Sequence, residues 1–75
     1  MWIKGTKSDT VINLDRCGYI DFTEVGHSRH ILARFHMGGE DVKVIGIPEN
    51  ITREDFIRTI MKAKSHCSYY EVEEG

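Results

Sequence analysis

Apolar and polar residues alternate along most of the first 47 positions, and after Pro48 the apolar spacing changes to three and four. The first pattern is that of strands covered on one face; the second is that of a helix laid on a core. Residues 1–6 read as a first strand, with Trp2 and Thr6 as strand formers. Lys7-Ser8-Asp9 is a polar turn, and Val11-Ile12-Asn13-Leu14 resumes an extended run. Across 17–25, Ile20 and Phe22 share one face, with Cys17, Tyr19, Asp21 and Thr23 on the other. Gly26-His27-Ser28 makes the next turn. The stretch His30–Met37 is the clearest strand: Ile31, Ala33, Phe35 and Met37 lie on one side, and His30, Leu32, Arg34 and His36 on the other. Gly38-Gly39-Glu40 supplies a hairpin turn, since glycine tolerates the positive φ that such turns use. Residues 41–47 return as a strand in which Val42 and Val44 continue one alternation while Ile45 and Ile47 fall on the opposite face. That pattern implies a bulge at Ile45-Gly46 or a strand covered on both sides.

The helix is sharply specified. Thr52 suits the N-cap, with Asp55 three residues on as a capping-box variant, and Ile51 and Phe56 have the spacing of a hydrophobic staple. Glu54 and Asp55 in the first turn and Lys62 and Lys64 in the last complement the macrodipole. Phe56, Ile57, Ile60, Met61 and Ala63 make a stripe of 3.6-residue period. The spacing predicts a helix over 52–65, its stripe resting on Ile20, Phe22, Ile31, Ala33 and Phe35. The tail, 67–75, ends too acidic to pack well, although Tyr69, Tyr70 and Val72 could add a short edge strand. The expected architecture is α+β. A single domain, 1–75, carries an antiparallel meander of four to five strands (1–47) with one C-terminal helix packed on one face.

Length limits what such a domain can do. A chain of 75 residues buries only ~60% of its unfolded surface, so the core is thin and a large enzyme pocket is not expected. Ten Lys and Arg against twelve Asp and Glu give a net charge of −2, so nucleic acid could be met only by a local basic patch. The opening Met1-Trp2-Ile3-Lys4 turns polar too soon for a signal peptide, and no run is long enough to span a membrane. The chain is therefore expected to be cytoplasmic, with reduced thiols.

Candidate chemistry is sparse. His27, His30 and His36 offer imidazoles, but His30 and His36 lie ~20 Å apart along a straight strand and cannot share an ion. Cys17 and Cys67 stand fifty positions apart with no Cys-x-x-Cys spacing and read as separate thiols. His66 beside Cys67 lacks an orienting third group. Asp15, Asp21 and Glu24 alternate between faces, and Gly38-Gly39 joins two strands without opening a helix, so neither a carboxylate pair nor a phosphate cradle is expected. No catalytic residue, metal or cofactor is assigned.

The most informative surface is the sheet face turned away from the helix. It is expected to present His30, Arg34, His36 and Lys43 interleaved with Tyr19, Leu32, Ile45 and Ile47. Contiguous exposed apolar area on a small domain usually marks an interface. The leading expectation is a non-enzymatic module that self-associates, as a symmetric dimer, or binds a protein partner through Tyr19, Leu32, Ile45 and Ile47. The alternative is a nucleic-acid-binding regulator using Arg29, His30, Arg34, His36 and Lys43; it is the weaker one, because only Tyr19 could serve as a stacking platform.

The opening Met1-Trp2-Ile3-Lys4, the segment Ile12-Asn13-Leu14-Asp15 and the terminal amphipathic helix resemble a group of small bacterial and phage proteins that begin Met-Trp-Ile and carry an Ile-Asn-Leu-Asp segment. The resemblance implies a small antiparallel sheet plus a helix, and it implies no chemistry.

Overall fold

The computed structural model describes residues 1–26 and 30–75. In chain order it contains β1 (Trp2–Gly5), β2 (Val11–Asn13), a single 3-10 turn (Leu14–Arg16), β3 (Tyr19–Glu24), β4 (Ile31–His36), β5 (Val42–Ile47), α1 (Arg53–His66) and β6 (Tyr69–Val72). Among the described residues the fold is α+β, with one helix and two three-stranded sheets, ordered β2-β1-β6 and β3-β4-β5.

The expected single meander is therefore corrected. Only β3, β4 and β5 form a continuous antiparallel meander, while β1 and β2 pair with each other and take β6 as their third strand. The 3-10 turn is where the path changes sheets. Asn13 caps it by accepting from the Asp15 amide, and Cys17 N–H closes it on the Leu14 carbonyl at 3.1 Å. Leu14 is buried there, so the turn also plugs the core.

The acidic tail packs, against expectation. β6 runs parallel to β1, with Ile3 opposite Tyr70 and Gly5 opposite Val72, and Val72 is buried. Beyond it, Glu74 finds donors already waiting in the turn after β1. Its Oε1 accepts from the amides of Lys7 (3.0 Å) and Ser8 (2.9 Å) and from Ser8 Oγ (2.9 Å). Gly5 makes room for that carboxylate, because a Cβ at this position would collide with it. Gly75 N–H then reaches the Gly46 carbonyl on β5 at 3.2 Å, so the tail ties the two sheets together.

The helix forms where its cap and stripe place it. Thr52 Oγ1 accepts from the Asp55 amide at 3.1 Å, and Cys67 N–H closes the last turn on the Ala63 carbonyl at 2.8 Å. Phe56, Ile60 and Ala63 are buried, whereas Met61 at the stripe's margin is exposed. Phe56 meets Phe22 and Phe35 edge-on, at centroid distances of 6.3 and 6.4 Å. One core joins all the layers: Ile3 and Ile12 from the first sheet, Ala33, Phe35, Ile45 and Ile47 from the second, and Phe56 and Ile60 from the helix.

Candidate interaction face

The register of β5 on β4 decides which side chains reach the open face. Ala33 pairs with Ile45 and Ile31 with Ile47 along an unbroken ladder from Ile31 to His36. Residues directly opposite in an antiparallel pair point to the same side. Ile45 and Ile47 therefore share the core side with Ala33, and they are 0% and 1% exposed. This overturns their expected place on the open face. No bulge interrupts the pairing at Ile45-Gly46, nor is β5 covered on both sides. Lys43 likewise sits opposite Phe35, on the core-side parity at the sheet's end, with its ammonium 3.7 Å from Asp41.

What occupies the open face is a grid of nine residues. Tyr19, Asp21 and Thr23 of β3 stand opposite His36, Arg34 and Leu32 of β4, and these stand opposite Val42, Val44 and Gly46 of β5. Tyr19 and Leu32 are where the sequence places them, and Val42 and Val44 take the positions foreseen for the two isoleucines. Tyr19 is 61% exposed, and Val42 and Val44 are 38% and 39% exposed.

The centre of the grid is polar and internally satisfied. Arg34 grips Asp21 with a two-pronged contact, Nε to Oδ1 at 2.9 Å and the second nitrogen to Oδ2 at 2.5 Å. His36 Nε2 lies 2.9 Å from Oδ1 of the same carboxylate, a contact in which the ring nitrogen donates. The Arg34 hydrogen bonds, and after them that of His36, hold the Asp21 carboxyl at about 2, well below the usual carboxylate range. The Tyr19 ring stacks on the His36 imidazole at 4.0 Å, nearly parallel at 8°.

The side chains named for nucleic acid are placed as follows among the described residues. Arg34 and His36 are engaged with Asp21, Lys43 has the opposite parity, and His30 is half-buried where its carbonyl accepts from Val25 at 3.0 Å. His27 and Arg29 lie outside the described residues. Among the described residues no three of His, Cys, Asp and Glu converge as metal ligands. Cys17 is half-buried, its thiol donating to the Tyr19 carbonyl at 3.3 Å and pushed up in pKa by burial, while Cys67 is exposed. No helix among the described residues is long and apolar enough to cross a membrane.

A second exposed patch escaped the sequence reading. On the outer face of β2-β1-β6, Trp2 is in register with Tyr69, both 49% exposed, and Val11 on β2 is 45% exposed. The signal was the alternation of Trp2 against buried Ile3, but its meaning depended on β6 pairing with β1. In comparisons with known proteins, the chain matches no family model, no curated protein and no solved structure.

Proposed function

We propose that this chain is a non-enzymatic interaction module that self-associates through the sheet β3-β4-β5 and presents the open face of that sheet to a protein partner. The observation that carries the reading is the face itself. Tyr19, Val42 and Val44 stand uncovered around an ion-paired centre, so the apolar rim is available and the charges present no unmet demand. A partly apolar patch with paired charges suits protein contact, where desolvating an unpaired charge would oppose binding. The test is sedimentation equilibrium from low to high micromolar concentration. The expected result is a concentration-dependent rise from the 8.6 kDa monomer toward twice that mass. A single 8.6 kDa species throughout would sink the reading.

A further inference from the structure

The outer edge of β3 is the feature left unexplained by the chain's own fold. β3 ends its sheet, and among the described residues no strand pairs with its outward side. It is six residues long, against four for β6 and three for β2 at the edges of the other sheet. The opposite edge of its own sheet, on β5, is partly closed by the Gly75 amide on the Gly46 carbonyl. Long edge strands are usually blunted by Pro, Lys, a bulge or a covering segment. β3, Tyr-Ile-Asp-Phe-Thr-Glu, has no Pro and no Lys, its ladder to β4 runs unbroken, and its central acid Asp21 is neutralised by Arg34.

The hydrogen-bond phase of β3 determines what this edge offers. Val25 donates to the His30 carbonyl, which opens the ladder with β4. With the two-residue period of an antiparallel pair, Thr23 and Asp21 turn their main-chain groups toward β4, and Ile20, Phe22 and Glu24 turn theirs outward. Two copies related by a two-fold axis can meet there in the register that places Phe22 opposite Phe22. The outward groups then face each other as three hydrogen-bonded pairs: Phe22 with Phe22, and Ile20 with Glu24 twice. Asp21 falls opposite Thr23 of the second copy, so no like charges oppose. Of the two neighbouring registers, one would set Asp21 against Asp21, and the other, centred on Thr23, would leave Ile20 opposite Gly26, beyond the end of β3.

Charge around the axis also matches. Arg53 lies 5.8 Å over the Phe22 ring and 3.3 Å from Glu24. In the Phe22-centred register, Glu24 of the second copy stands opposite Ile20 and diagonal to Phe22, so the two Arg53–Glu24 pairs lie on either side of the axis and no like charges face each other.

Stacking two copies face to face would cover the surface offered to a protein partner. Edge pairing draws instead on main-chain hydrogen bonds, as in strand addition.

We infer that two copies of this chain join β3 to β3 about Phe22, merging their sheets into one of six strands with a continuous open face. The inference rests on the self-association proposed above and names its geometry. The experiment uses the whole chain, combining sedimentation equilibrium with amide hydrogen exchange by NMR at low and high concentration. The amides of Ile20, Phe22 and Glu24 are expected to gain protection with concentration. Glu24→Lys, at an exposed position, is expected to weaken the dimer at least tenfold, and Arg53→Glu combined with it to restore much of the loss; Val44→Lys is expected to leave the dimer intact. A dimer dissociated by Val44→Lys but not by Glu24→Lys, with the three amides still exchanging fast, would overturn the edge geometry and leave self-association standing. A monomer at every concentration would overturn both.

Discussion

Asp21 shows how one residue organises a surface. Its carboxylate holds Arg34 and His36 at once, and Tyr19 stacks on the held imidazole, so four side chains from two strands share one arrangement. Asp21's folded pKa, about 2, lies below the ~3.9 of an unfolded aspartate. Ionised Asp21 therefore stabilises the fold above pH ~4, and its contribution fades as pH falls toward the folded value. Thermal melts of Asp21→Asn are expected to lose part of the acid-side decline seen in the native chain; identical pH profiles would show the carboxylate to be idle. Ile45 and Val44 are neighbours with opposite environments, and truncation separates them. Ile45→Ala is expected to cost ~2–5 kcal/mol in urea unfolding and Val44→Ala under ~1 kcal/mol. Equal costs would contradict the register that buries Ile45.

Among the elements, the helix was the most legible in the sequence. Thr52, Asp55, Ile51 and the Phe56–Ile60–Ala63 stripe are local signals, and a helix satisfies its own backbone within a few residues. β6 was the least legible. Glu71 within it and Glu73 and Glu74 just after it suggest solvation, and nothing nearby announces that the turn after β1 holds the Lys7 and Ser8 amides, 67 and 66 positions before Glu74, aimed at that residue. Glu74→Ala is expected to speed hydrogen exchange of the Lys7 and Ser8 amides at least tenfold while leaving the β4 amides unchanged. Unaltered exchange at Lys7 and Ser8 would mean that the tail does not close that turn. Within the β3-β4-β5 meander the strands themselves were legible, but the face assignment of β5 was not. It depends on how residues 37–41 close the hairpin: Met37 donates to the Asp41 carbonyl at 2.9 Å, and Gly38 and Gly39 both take positive φ. A one-residue change in that closure would exchange Ile45 for Val44 on the core side.

At the scale of the whole molecule, one small core is shared by two three-stranded sheets. Ile3 and Ile12 from the first sheet touch the same cluster as Phe35 and Ile45 from the second. The two sheets should therefore unfold together. Trp2 fluorescence, reporting on β1, and far-ultraviolet circular dichroism, reporting on α1, are expected to give coincident denaturation midpoints, and Ile3→Ala to shift both equally. Separated midpoints would mean that the sheets are independent units. The same economy of size bears on association, since a chain this short gains from any additional burial.

Local patterning was enough to settle that the chain holds strands followed by a capped amphipathic helix, that Phe56 and Ile60 enter the core, and that Tyr19 and Leu32 face away from it. Those features follow from periodicity and capping, which act over a few residues. Partnership across distance was decided only in three dimensions. β1 turns from the meander to β6, Ile45 and Ile47 turn inward, and Asp21 meets Arg34 because strand pairing is non-local. The main-chain hydrogen bonds that create it are the same for every residue type, so the register is chosen by hairpin closure and shared burial rather than by any residue read alone.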